Sequence, residues 1–172
     1  MSHQVLDDSE LRFSLMELDL PARTTVIDDP EVFQAMIAAC RFCWVNPLIT
    51  ATFPFGAPVA DVEDLRTVNQ ADLGGCDMTT AEIEAALVRK NCRAANVLEL
   101  LAYAGKKWCR GETVVALGTL WTWPSTIYDP SVPFICADRD GRKFGLWWAI
   151  RHSWKGDRLF LVAPRVDGKP IS

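Results

Sequence analysis

Apolar residues recur at two periods along this chain, and the change of period divides it. From residue 30 to about 44, Val32, Phe33, Met36, Ile37 and Cys40 fall three or four positions apart, the repeat of one helix face. Asp29 before Pro30 supplies the start: an Asp oxygen accepts from free N–H groups, and Pro at the first helical position lacks only a donor that would be unpaired anyway. Asn46-Pro47 predicts the end. A second helix is predicted from about residue 80 to 90, with Ile83, Leu87 and Val88 inward and a capping box between Thr79 and Glu82. Residues 91–93 read as a turn. A third helix over 94–104 places Val97, Leu98, Leu101 and Ala102 on one side and stops at Gly105.

Beyond Gly111 the period becomes two. Residues 113–121, 132–137, 143–151 and 158–163 are rich in β-branched and aromatic side chains and predict four strands. Asp138-Arg139-Asp140-Gly141 is the clearest turn, since Asp-Gly tolerates the positive φ of a tight hairpin, and Lys155-Gly156-Asp157 marks another. The simplest arrangement is an α+β domain in which about three helices pack on one face of a mainly antiparallel four-stranded meander. Leu11, Phe13 and Leu15 alternate with Arg12 and Ser14, and the phase slips at Met16. This suggests an additional N-terminal strand with a bulge, although the same leucines suit one helix face. Residues 47–75 hold Pro47, Pro54, Pro58 and Gly74-Gly75 and read as an irregular crossing with a strand at 48–53.

Length and composition narrow the class. A chain of 172 residues with 49% apolar and 23% charged side chains builds one ordinary domain with a real core. Its longest apolar stretches are broken by Gly or Pro and are too short for a membrane span. The first residues, Met1-Ser2-His3-Gln4 followed by Asp7, Asp8 and Glu10, lack the basic and apolar regions of a secretory signal. The expectation is therefore cytoplasmic, with six reduced cysteines serving mainly as core fillers.

Charge adds an asymmetry. Residues 1–88 carry four Arg or Lys against fifteen Asp or Glu, and residues 89–172 carry fourteen against seven, so the halves are −11 and +7 within a net −4. Such a split marks either charged partners or two halves that neutralise each other in the fold.

Catalytic signals are weak. Cys40-Arg41-Phe42-Cys43 falls in the last turn of a predicted helix, where the dipole disfavours the thiolate, and no second paired spacing completes a zinc site. His152 is the only histidine beyond the extreme N-terminus, with no identifiable orienting acid. The pairs Asp7-Asp8, Asp28-Asp29 and Glu63-Asp64 are adjacent in sequence and do not share a helix face. No phosphate-cradling glycine loop is present.

The tryptophans carry more. Five of seven lie at Trp121, Trp123, Trp147, Trp148 and Trp154. On the third predicted strand Phe144, Leu146, Trp148 and Ile150 share one face and Gly145, Trp147 and Ala149 the other. If one face covers the helices, the other presents Trp147 among arginines, the composition of an interface hot spot or of a single-strand stacking platform. If both faces are covered, these aromatics are core.

The reading is a non-catalytic cytoplasmic protein that binds a macromolecule: an inhibitor, immunity-like or regulatory module. Asp61, Glu63 and Asp64 would dock a basic protein partner, such as a nuclease or nucleic-acid-binding protein. Trp123, Tyr128, Arg139, Arg142, Trp147, Arg151 and Trp154 would form the aromatic, basic face. No cofactor and no metal is called for. Nucleic-acid binding by that face, and an enzyme using His152 as general base, stay open.

Overall fold

The computed structural model describes residues 29–49, 60–121, 130–149, 153–154 and 158–165. The predicted N-terminal strand, most of the strand at 48–53 and the Lys155–Asp157 turn lie outside them.

Helix α1, Pro30–Ala39, starts as its sequence requires, with the Asp29 carboxylate accepting from the Glu31 N–H at 2.8 Å. It stops five residues short of Trp44. Cys40 caps it, Arg41 adopts a left-handed φ of 51°, and the chain turns into strand β1, Trp44–Val45. β1 runs parallel to β6, Trp44 opposite Lys143, and Phe42 stacks on Phe144 with ring centroids 5.4 Å apart. Tertiary pairing overrides the helical period here. A 3-10 turn at Val62–Asp64 leads into β2, Arg66–Val68. Helix α2, Thr80–Arg89, carries the expected capping box. The predicted turn at 91–93 becomes β3, Cys92–Ala94, entered through Asn91 at φ 54°. Helix α3 spans Val97–Lys106, with Asn96 and Glu99 as a second capping box and Gly105 inside its last turn.

Four further strands complete the sheet: β4, Val114–Val115; β5, Ser131–Asp138; β6, Gly141–Trp148; and β7, Leu159–Pro164. The hairpin of β5 and β6 closes with Asp138 opposite Gly141, whose φ of 121° justifies a glycine. The expected four-stranded meander is otherwise wrong. Among the described residues seven strands form one mixed sheet in the order β1-β6-β5-β4-β7-β2, with β3 also on β7, and β7 lies parallel to β4 instead of beside β6. Val162 faces Arg66 on one edge and Ala94 on the other, while Phe160 faces Val68 and Val115. β3 and β4 therefore follow one another along the same edge of β7.

The helices cover both faces, not one. Strand parity sends Val114, Ala116, Ile135, Phe144, Leu161 and Ala163 into a core with α1 and α3, whose Phe33, Leu98 and Leu101 are fully or almost fully buried. The alternate residues Val115, Leu117, Val132, Phe160 and Val162 pack against Ile83, Ala86 and Leu87 of α2. Removing each large side chain of this kind from water contributes about 1.5–3 kcal/mol, so both apolar faces demand a cover. Among the described residues no helix is long and apolar enough to cross a membrane.

Candidate functional site

The cover over the second face decides the fate of the expected aromatic platform. Trp147 is half-buried, with its ring 5.3 Å from that of Phe134 and 6.3 Å from that of Trp154, and the Arg158 guanidinium lies 4.0 Å above it. Trp154 is buried. Its indole N–H donates to the Thr80 hydroxyl at 3.0 Å, and that hydroxyl donates to the Ala149 carbonyl at 2.7 Å. The buried Gln70 amide donates to the Trp154 carbonyl at 2.8 Å and accepts from the Met78 N–H at 2.6 Å. Trp147 and Trp154 are thus packed into the α2 layer, Trp154 buried and Trp147 partly so.

Arg142 is half-buried and turned toward the helices. Its guanidinium donates to the carbonyls of Cys40 and Ala104, near the ends of α1 and α3, and lies 4.7 Å over the Trp108 ring. A cation against helix C-terminal carbonyls meets the negative ends of two dipoles, so Arg142 staples both helices to the start of β6. Arg139 alone of the described basic candidates is open, with its side chain 95% exposed in the hairpin turn. Trp123, Tyr128, Arg151 and His152 lie outside the described residues.

The acidic candidates serve local structure. Asp61 caps the 3-10 turn by accepting from the Glu63 N–H at 3.2 Å. Glu63 faces Lys107 at 3.3 Å, and the Lys107 ammonium donates to the Glu63 carbonyl at 2.9 Å. Asp64 is exposed beside them. Of the adjacent pair before α1, Asp29 is the helix cap.

The Cys40–Cys43 spacing is split. Cys40 is the buried C-cap of α1, its thiol donating to the Leu101 carbonyl at 3.3 Å, and burial pushes it up to about 11 against the opposing pull of Arg142. Cys43 is exposed on the approach to β1 and donates through sulfur to the Arg142 carbonyl at 3.0 Å. A thiol so reluctant to ionise is a poor nucleophile. Among the described residues no three His, Cys, Asp or Glu side chains gather as a metal-holding group. A shallow cleft of about 340 Å³ lies before and along α2, between Gly74-Gly75, Asp77 and Arg89. Its Glu82 is committed to Thr79, whose backbone and hydroxyl bonds hold that carboxyl below its ordinary value.

Among the described residues the fold leaves two tryptophans open, Trp148 and Trp44. Trp148 is 75% exposed. It ends β6 opposite Ser131, which in turn bridges Trp121, so Trp148 and Trp121 stand on one face in one cross-strand row. That face belongs to α1 and α3, but a ten-residue helix is only about 15 Å long, whereas an eight-residue strand runs about 26 Å, and the sheet overhangs its cover. No protein-family profile, curated protein or solved structure matches this chain. Trp44 is 45% exposed and lies opposite Lys143. The Lys143 and Trp148 positions are five steps apart along β6, about 16 Å of strand, and the odd number of steps puts the two indoles on opposite faces.

Proposed function

We propose that the protein is a non-catalytic binding module that takes a protein partner at the overhanging end of the sheet, with Trp148 as the anchor. The observation that carries this reading is an indole three-quarters exposed at the end of a regular strand. Interface hot spots are enriched in tryptophan because a large, rigid ring loses little conformational freedom when it is buried by a partner. Half-buried Trp121, in the same cross-strand row, extends the apolar area beside it. An inhibitory or regulatory role fits a module of this kind, and six free thiols suit a reducing, cytoplasmic setting. The acids at 61–64 are secondary in this reading, since Asp61 and Glu63 are engaged with their own backbone and with Lys107.

The test is affinity capture from native lysate with the intact protein and with Trp148→Ala, followed by titration of the identified partner. Truncating an anchor is expected to weaken binding about thirtyfold or more with an unchanged circular dichroism spectrum. Equal affinity of the two forms overturns the assignment.

A further inference from the structure

The opposite end of β6 brings together cations that are far apart in the sequence. Arg142 holds the ends of α1 and α3 to the start of β6 through Cys40 and Ala104, and the Cys43 N–H donates to the Arg142 carbonyl at 2.8 Å. The Arg110 guanidinium reaches the Asp138 carbonyl at 3.4 Å. These bonds place Arg41, Lys106, Arg110 and Arg139 at one end of the molecule, each from a different segment and each exposed. Arg41 and Lys106 make no ion pair among the described residues, and the contact of Arg139 with Asp140 is loose at 3.9 Å. The neighbouring acid Asp138 is held by Lys143 at 2.6 Å. Positive charge therefore remains available at this end, although the chain as a whole is −4.

We propose that this end binds single-stranded nucleic acid, with Trp44 as the stacking platform and Arg41, Lys106, Arg110 and Arg139 as phosphate contacts. Helix C-terminal dipoles alone account for Lys106 and Arg142, which sit where a cation is favoured. They do not account for Arg139 in a hairpin turn, for Arg110, or for an exposed indole three residues beyond Arg41. Cations alone suit any polyanion, acidic peptides included. The exposed indole of Trp44, three residues after Arg41 and paired with the start of β6, selects a polymer that carries flat bases as well as phosphates, because base stacking on an indole is tolerant of sequence and adds to backbone contacts. The site is independent of Trp148 and of the protein partner assigned to it.

Fluorescence anisotropy of a fluorescein-labelled oligothymidylate of about twelve nucleotides, within the span of known single-strand sites, tests this directly on the full chain. The expected result is binding at low salt whose logarithm falls linearly with the logarithm of salt concentration, about 0.7 per phosphate contact. Trp44→Ala is expected to weaken binding about tenfold, with Trp44→Phe restoring most of it. Arg139→Ala, in an exposed turn where the fold does not depend on it, is expected to weaken binding and reduce the salt slope by about 0.7. Lys90→Ala makes the same charge change at the end of α2 and should leave the affinity within about twofold, as a charge remote from the contact. No anisotropy change at low salt, or equal affinity for Trp44→Ala, Arg139→Ala and the parent, overturns the proposal. So does displacement by polyglutamate charge for charge, which marks a site for acidic proteins. Tighter binding of the equivalent duplex overturns the stacking role.

Discussion

Arg93 and Glu99 meet fork to fork: Nη2 donates to Oε1 at 2.6 Å and Nη1 to Oε2 at 2.8 Å, with Glu99 wholly buried. The same carboxylate accepts from the Ala60 N–H at 2.6 Å and the Asn96 N–H at 2.9 Å. One side chain thus joins β3, the start of α3 and the segment leading to the 3-10 turn. Removing one partner of a buried pair leaves polar groups stranded, and Glu99→Ala is expected to cost about 3–5 kcal/mol. Arg93→Lys should also destabilise, because an ammonium cannot reproduce the planar fork. Guanidinium midpoints check both; a loss below about 1 kcal/mol for Glu99→Ala would place the pair in the weak class of surface ion pairs.

The Cys40 thiol predicts an alkaline limb in stability. Its folded value near 11 lies above the ordinary 9.0, so the folded state holds the proton more tightly. Stability is intact below pH 9.0 and declines as pH rises through about 11, by an amount on the order of 2 kcal/mol. Cys40→Val removes the titrating thiol and should flatten that decline relative to the parent when midpoints are compared across the window. At pH 8 a thiol reagent should label exposed Cys43, Cys76 and Cys109 rapidly and Cys40 only on unfolding.

Replacing Arg142 by Met separates a staple from a binding residue. The variant keeps much of the stem but loses two charge-assisted bonds to the carbonyls of Cys40 and Ala104. At about 1.5–3 kcal/mol for each bond to a charged group, thermal unfolding should shift down clearly. A variant that melts like the parent would refute the stapling role.

Gly118 is required for packing and not for its φ. A Cβ built there would lie 2.7 Å from the carbonyl oxygens of both Ala94 and Ala95, and the Gly118 N–H donates to that of Ala95 at 2.9 Å. Backbone cannot step aside as a side-chain tip can. Gly118→Ala is expected to cost about 1–3 kcal/mol or more, read from urea midpoints. Gly111→Ala meets no neighbour and is penalised only through its φ of 106°.

Local signals predicted the parts of this fold that local chemistry controls. Asp29-Pro30, the Thr79 and Glu82 box and the Asp138 to Gly141 turn each act within four residues, and all three appear where expected. β1, β2 and β3 were not legible, because two or three residues are too few to show alternation and their partners lie far along the chain. Asn96 and Glu99 did carry a readable capping signature, but the apolar run at Ala94 and Ala95 drew the predicted start of α3 forward. The surroundings of the candidate aromatics were hidden for a related reason. Parity along β6 correctly separates Trp147 from Trp148, yet which face lies open depends on where α2 packs and how far α1 and α3 reach. Arginine counts likewise cannot tell Arg142, drawn inward by two helix ends, from Arg139 in open solvent.

The position of β7 carries a consequence for how the chain is made. This strand, the last one described, is the hydrogen-bonded neighbour of β2 and β3 and of β4. Until residues 159–164 leave the ribosome, β2 and β3 have no edge to join and β4 has only β5. Contacts of such long sequence separation slow folding and lengthen the exposure of sticky intermediates. Closure of the sheet therefore waits for β7, and a chain cut before residue 159 is a natural client for chaperones.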